Sequence, residues 1–317
     1  MAKKDWTKDW TKDWTKSSWG AARLVASTAG MDQPPDSVAR RVVSMGWHPD
    51  VPDRRDQTLG TKRIQKNLKS ANVNILSDGP VPDSCDHRDI CSPVEDQGRL
   101  GSCTAQAVVG LMEYMMRRSG EDHVDGSRLF VYKVTRKLLG WEGDTGAYLR
   151  TAMKAVAAFG VPPEQHWPYD IEKFEDEPSA FLYSFANSYK SLDYTRLDPA
   201  GESAAGLLGR IKSVLAAGFP VVFGFSVYRS LSAAADIPFP GENDTLEGGH
   251  AVMAVGYDDN HKVGSKKVPS LIIRNSWGSD WGELGYGYLP YDYVSEGLAQ
   301  DFWTAFKTSW LQTNQFG

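Results

Sequence analysis

The chain has 317 residues, 41% hydrophobic and 24% charged, with 3 cysteines and a formal net charge of −5. That apolar content can offset the entropy of ordering a core, which excludes a mainly disordered or collagen-like chain, and three cysteines cannot form the framework of a disulfide-stapled scaffold. At about 150 residues per domain the length suggests two domains or lobes, and the acidic balance argues against a nucleic-acid partner held by phosphate neutralisation.

The N-terminal end is a tandem repeat: Lys-Asp-Trp-Thr occurs three times between Lys4 and Thr15, spacing Trp6, Trp10 and Trp14 four residues apart. On a helix the indoles would form one stripe flanked by Asp/Lys pairs, yet the repeat is shorter than an isolated helix requires, so a mobile tail or a contact arm fits equally. Lys3 and Lys4 are not followed by an apolar h-region, so no Sec signal is read; a cytoplasmic location is favoured, with non-classical export as the alternative. The longest apolar window, Phe219 to Val227, is interrupted by Pro220, Gly224 and Ser226 and is too short for a membrane span.

Between Gly46 and Asp56, Pro49 and Pro52 forbid helix and predict an extended strap with one aromatic anchor, Trp47. Ser77 to Pro82 is rich in turn residues and marks a boundary, dividing the chain into an extension over 1–80 and a compact domain over 81–317. Within that domain, apolar periodicity predicts helices over 102–118, 127–139 and 148–159. Short runs rich in Val, Ile, Phe and Tyr predict strands over 220–227, 250–257, 270–275, 286–289 and 302–307. Helices in one half and strands in the other make an α+β protein whose two lobes would meet in a cleft.

Among the cysteines, Cys103 follows Gly101-Ser102 at the first turn of a predicted helix. Unpaired N–H groups and the helix dipole there favour a thiolate, so a lowered thiol pKa is expected. Cys85 and Cys91 lack such a setting and read as structural thiols or a local bridge. His250 follows Gly248-Gly249 and opens the apolar run Ala251-Val252-Met253-Ala254-Val255, which would bring its imidazole to the end of a sheet at a cleft. His48, His87, His123, His166 and His261 sit among polar, proline or charged neighbours and read as surface or capping residues. None of the histidines has finger or helix-face spacing with the cysteines, so neither a metal nor another cofactor is expected. Asn275, which ends the Leu271–Arg274 strand, could orient an imidazole through its amide oxygen, with Trp277 shielding that bond. Gln97, across a Gly98/Gly101 loop from Cys103, could donate to an oxyanion together with the Cys103 N–H.

Gln97-Gly98 through Gly101-Ser102-Cys103, His250 through Tyr257, and Asn275-Ser276-Trp277-Gly278 through Trp281-Gly282-Glu283-Leu284-Gly285-Tyr286 closely resemble the papain-like cysteine peptidases. His250 stands 147 positions after Cys103 and Asn275 a further 25, in the order and within the ~130–150-residue spacing of that family. The resemblance runs from about Val81 to the C-terminus and implies a two-lobed fold with a helical left lobe, a β-barrel-like right lobe and an active-site cleft between them. It implies Cys103 as nucleophile, His250 as general acid/base, Asn275 as orienting residue and Gln97 as oxyanion donor. Gly146, Ala147, Tyr148, Ala251 and Trp277 would border the substrate, Gly146 through backbone pairing, and the partners would be peptide or protein substrates. Leu100 and Thr104 stand where the family pattern has a cysteine and an aromatic residue, which removes the usual disulfide partner and alters packing beside the nucleophile. Resemblance to bacterial members with a Gly-Trp-x-Pro-Asp segment makes Trp47, His48 and Pro49 candidates for a cleft-blocking contact of a zymogen, the alternative being a strap packed elsewhere on the surface. The expected activity is endopeptidase hydrolysis through a thioester; the competing readings are a peptide-binding protein without turnover and an acyl-transfer or isopeptidase enzyme.

Overall fold

The structure is a computed structural model that describes residues 45–75, 80–186, 192–311, 313, 315 and 316. The Trp repeat of residues 4–15 and part of the boundary turn, residues 77–79, lie outside the described residues. The helices are α1 (Lys62–Ser70), α2 (Cys103–Ser119), α3 (Arg128–Leu139), α4 (Leu149–Phe159), α5 (Ala180–Ala186) and α6 (Ala204–Ala216), with short helical turns after them. Their ends follow local chemistry. Helix α2 stops at Gly120, whose φ of 76° lets its N–H return to the Met116 and Arg117 carbonyls. Helix α3 starts where the Ser127 hydroxyl accepts from the Phe130 N–H, and α6 where Ser203 does the same for Gly206.

The strands are β1 (Ser84–Asp86), β2 (Asp193–Arg196), β3 (Val221–Tyr228), β4 (Leu246–Asp258), β5 (Lys262–Val263), β6 (Lys266–Lys267), β7 (Ser270–Arg274), β8 (Tyr286–Pro290) and β9 (Ala299–Phe306). Seven of them form one antiparallel sheet in the order β2-β9-β3-β4-β7-β8, with β1 added to β4, and β5-β6 is a separate hairpin. Helix α2 packs on β4 and against α3 and α4. It is buried along nearly its whole length, including Glu113 and Gln106, because it lies between the helical lobe and the sheet. Helices on one side of α2 and an antiparallel sheet on the other give the expected two-lobed α+β architecture.

The three helices predicted around the nucleophile and the five strands appear within a few residues of their expected ends. Strand β4 differs: it begins at Leu246, because Leu246 to Gly249 pair with β3 up to Tyr228, so His250 lies inside the strand and not at its mouth. Helices α1, α5 and α6 and strands β1 and β2 carry no strong sequence signal and are held by tertiary packing. Helix α1 is an example: its exposed face is charged, and Ile64 and Leu68, one turn apart, are its buried stripe. Residues 45–75 belong to the same compact unit as the helices and strands that follow, and place Trp47, Leu59, Ile64, Leu68, Val73 and Ile75 in the core. Among the described residues no helix is long and apolar enough to cross a membrane.

Candidate active site

The site lies where the start of α2 meets β4. Cys103 is the first residue of α2 and has no exposed surface. The backbone N–H groups of Thr104, Ala251 and Gly46 lean on its sulfur, so the first turn of α2, strand β4 and the strap meet at one atom. Two of these donors come from far along the chain, and Ala251 directly follows His250. The expected lowering of the thiol pKa is not found: burial pushes Cys103 up to about 11, against the smaller pull of those three N–H groups. Dehydration of a charged sulfur outweighs a helix dipole here because the fully covered Cys103 has no surface left for water to solvate a thiolate. The other two cysteines are also free thiols, pushed up by burial to about 12 for Cys85 and about 11 for Cys91.

His250 Nε2 is 2.8 Å from Asn275 Oδ1, and the Ser276 N–H donates to the same oxygen at 2.7 Å. A backbone N–H can only be met by an acceptor, so the Asn275 atom is its oxygen, His250 Nε2 carries the proton and Nδ1 presents its lone pair. Nδ1 has no hydrogen-bond partner among the described residues. Burial lowers the His250 pKa to about 4, with the Asn275 bond opposing it, so the covered imidazole is neutral. Trp277 stacks on His250 with centroids 4.5 Å apart and planes 25° from parallel, which closes the Asn275 bond off from water.

Gln97 is fully buried and fixed at both ends of its amide: Nε2 donates to the Leu100 carbonyl at 2.9 Å and Oε1 accepts from Ser276 Oγ at 2.6 Å. Its backbone N–H donates to the Ser276 carbonyl at 2.8 Å. The loop bearing Gln97 is thereby tied to the segment bearing Asn275. Leu100 is buried in the core, and Thr104 places a fully buried hydroxyl without a partner among the described residues beside Cys103.

The opposite wall is the turn before α4. Ala147 pairs with the strap: its N–H donates to the Gly46 carbonyl at 2.7 Å, and its carbonyl accepts from the His48 N–H at 3.2 Å. In the strap's pairing the partner is Ala147, while the Gly146 N–H donates to the Tyr132 hydroxyl at 3.0 Å. Gly146, at φ 71°, supplies close approach instead, since a Cβ there would stand 2.2 Å from the Gly46 carbonyl oxygen. Across the cleft the Trp47 N–H donates to the Gly249 carbonyl at 3.1 Å. Gly46 itself fits only as glycine, because a Cβ would lie 1.9 Å from the Gly101 oxygen. The His48 ring sits by Trp141 and Tyr148, centroids 5.5 and 5.8 Å away, and its Nε2 donates to the Thr145 carbonyl at 2.6 Å; Pro49 is half-buried beside it.

Several residues that build the site escaped the sequence reading. Asp144 accepts from the Gly101 N–H at 2.9 Å and from the Tyr132 hydroxyl at 2.6 Å, and that hydroxyl accepts from the Gly146 N–H at 3.0 Å. Tyr169 bonds Ser102 Oγ at 2.5 Å and donates to the Gln97 carbonyl at 3.1 Å. Asp144 stands two residues before Gly146 in the sequence; Tyr132 and Tyr169 gave no local sign, since their partners are distant in the chain. No group of three or more His, Cys, Asp or Glu able to hold a metal ion is found among the described residues.

The family model described as "Papain family cysteine protease" matches residues 81–305. A protein of Acanthamoeba polyphaga mimivirus described as an uncharacterized peptidase C1-like protein is 34% identical over 280 residues, covering 82% of this chain and 86% of its own. Cathepsin K of Mus musculus is 29% identical over 244 residues, covering 74% of this chain and 68% of its own. The solved structure of xylellain, a cysteine protease from Xylella fastidiosa, superposes with a TM-score of 0.68 at 36% identity, covering 84% of this chain and 97% of that one. With that match over most of its length, and with a cysteine at a helix start facing a histidine strand across a two-lobed α+β fold, the chain belongs to the papain family of cysteine proteases.

Proposed function

We propose that the protein is an endopeptidase that works through a Cys103–His250–Asn275 triad and is made as a zymogen blocked by its own residues 45–56. The observation that carries the second half is the course of Gly46-Trp47-His48, which lies on the Cys103 sulfur and exchanges backbone hydrogen bonds with Ala147 on one wall and Gly249 on the other. Those are the bonds an extended substrate would need, so strap and substrate compete for the same groups. The strap and the Ala147 segment run in the same direction, paired as a parallel bridge at Trp47 and Ala147.

With the strap displaced, water reaches the cleft and the burial cost that holds Cys103 and His250 neutral is relieved. The thiol proton passes to His250 Nδ1, giving a thiolate and an imidazolium whose Nε2–H keeps donating to Asn275 Oδ1. The thiolate attacks the scissile carbonyl, and the Cys103 N–H and Gln97 Nε2 receive the developing oxyanion. His250 protonates the leaving amine, and water deprotonated by His250 then releases the thioester as a carboxylic acid. Ala251, Tyr148 and Trp277 border the bound peptide.

The test has two arms with short fluorogenic peptides. Cys103→Ala should abolish turnover and labelling by an epoxide inhibitor, and residual turnover at the wild-type rate would exclude the thiol mechanism. Gly46→Ala, which has no room for its methyl, should raise turnover of the full chain about tenfold or more, since a backbone clash of that size costs well over ~1.4 kcal/mol. An unchanged rate would show that the strap does not block.

A further inference from the structure

The turn that leads into Ala147 is fixed at both ends by α3. Tyr132 and Arg136 stand one helical turn apart on that helix, both fully buried, with the guanidinium carbon of Arg136 4.4 Å from the Tyr132 ring centroid. Arg136 Nη1 donates to the Gly143 carbonyl at one end of the turn, and the Tyr132 hydroxyl accepts from the Gly146 N–H at the other. Ala147, which pairs with the strap, directly follows and inherits that position.

Asp144 passes the position on to the nucleophile. It belongs to the same turn, and its Oδ1 accepts from the Tyr132 hydroxyl at 2.6 Å and from the Gly101 N–H at 2.9 Å, with Oδ2 3.1 Å from the same N–H. Gly101 is buried and stands two residues before Cys103. The Gly146 N–H, the Tyr132 hydroxyl, the Asp144 carboxylate and the Gly101 N–H therefore form one chain of hydrogen bonds from the cleft wall to the nucleophile's loop. Burial, and after it the Asp144 charge, drives the Tyr132 pKa upward, so the hydroxyl keeps the proton with which it holds Asp144. All three cysteines are free thiols, so the spacing of wall and loop is set without a disulfide. The charge of Asp144 meanwhile works against the reaction, because it adds to the upward push that burial gives the Cys103 thiol. A carboxylate kept where it opposes the thiolate calls for another reason, and the geometry supplies one.

We propose that Asp144 is a positioning residue, which with Tyr132 sets the distance between the backbone wall that a bound peptide pairs with and the sulfur that attacks it. This rests on the reading of Cys103 as nucleophile and of Ala147 as a group that substrate shares with the strap. The wall holds the peptide alike in the ground state and the transition state, so its own bonds give binding without rate. Rate comes from the separation of wall and sulfur, where a misplacement of about 1 Å can cost about a hundredfold. Asp144 lies in an exposed turn, so water can take over as acceptor for the Gly101 N–H when the carboxylate is removed. The loop then stays folded and loses only its fixed distance to the wall.

The experiment uses the full chain carrying Gly46→Ala, the variant expected to free the cleft, and adds Asp144→Ala, Asp144→Asn or Tyr132→Phe. Two readouts are compared: kcat and KM for a short fluorogenic peptide, and the rate at which iodoacetamide alkylates Cys103, a small reagent that needs the thiolate and not the wall. Asp144→Ala should lower kcat about tenfold or more with KM within about twofold, and should leave alkylation as fast as before or faster. Asp144→Asn, whose amide oxygen can still accept both bonds, should restore kcat to within about threefold. Tyr132→Phe should lower kcat as Asp144→Ala does, and the double variant should be little worse than either alone, since both break one chain. If Asp144→Ala does not fold, Tyr132→Phe carries the same prediction. Unchanged kcat, a kcat that falls in step with alkylation, or Asp144→Asn as poor as Asp144→Ala would overturn the inference. Gly46→Ala no faster than wild type overturns the strap reading alone, and the comparison is then made in the wild-type chain. Alkylation of Cys103 that leaves turnover intact overturns the thiol mechanism and this inference with it.

Discussion

At the scale of single residues, the chemistry of Cys103 is decided by water and not by its place on a helix. The start of α2 offers N–H groups to a thiolate, yet the covered sulfur is pushed up to about 11 while His250 is pushed down to about 4. Both shifts have burial as their largest cause and both favour the neutral pair. A raised thiol pKa means the reactive thiolate is scarce below that value and accumulates as pH rises towards it; near pH 8 about a thousandth of the thiol is ionised. Iodoacetamide alkylation of Cys103 in the full chain, followed by mass spectrometry to separate it from Cys85 and Cys91, should therefore climb about tenfold per pH unit up to about pH 11. In Gly46→Ala the profile should flatten and start near neutral pH, as the hydrated imidazolium stabilises the thiolate. A wild-type profile already flat at neutral pH would contradict the account of a dehydrated pair.

At the scale of elements, the strap is fastened away from the nucleophile. Arg150 of α4 donates Nε and Nη2 to the two carboxylate oxygens of Asp56, both at 2.8 Å, and Nη2 also meets the Val51 carbonyl at 2.7 Å; Nη1 pairs with Asp50. Arg196 of β2 donates to the Asp50 carbonyl at 2.8 Å, and its N–H to the Gln57 carbonyl at 2.7 Å. The side chains of Arg150 and Asp56 are 24% and 8% exposed, so this forked pair is shielded enough to matter where a surface pair would not. Arg150→Ala touches none of Cys103, His250 and Asn275 and should raise basal turnover of the full chain by roughly tenfold, the equivalent of one shielded bidentate contact. Arg150→Lys, which keeps the charge and loses the fork, should fall between. Turnover equal to wild type in a folded Arg150→Ala protein would assign the strap's grip to Trp47 and the backbone alone.

At the scale of the whole molecule, the helical lobe is tied together by a buried ion pair. Glu113 of α2 and Arg128 of α3 are 1% and 2% exposed and lie 2.9 Å apart. The remaining capacity of Glu113 is taken up by Ser92 Oγ at 2.5 Å and the Gly126 N–H at 3.0 Å, which brings the segment before α2 and the entry to α3 onto one carboxylate. Removing Glu113 leaves buried Arg128 with only the exposed Asp125 and the more distant Glu95 as counter-charges, so Glu113→Leu should cost about 3 kcal/mol in urea unfolding, whereas Glu113→Leu with Arg128→Met should recover much of that loss. Equal losses in the single and double variants would mean that the pair stabilises by its own attraction, beyond satisfying two buried charges.

The sequence by itself determined the secondary structure around the nucleophile, the order and spacing of Cys103, His250 and Asn275, and the extended character of the strap. Each of these follows from local causes: apolar periodicity, prolines that fix backbone angles, and glycines beside reactive side chains. Helices α1 and α6 were not legible, since a short amphipathic helix owes its stability to the surface it lands on. The tertiary structure alone decided that the Asn275 amide turns its oxygen to His250, that Tyr132 and Asp144 hold the loop before Cys103, and that the Trp47 indole N–H meets Asp301. It also decided the protonation of the pair, against the expectation from helix position. Charge state depends on how much water remains beside a group, and that is set by segments far apart in the chain meeting in space: Gly46 over Cys103, and Trp277 over His250.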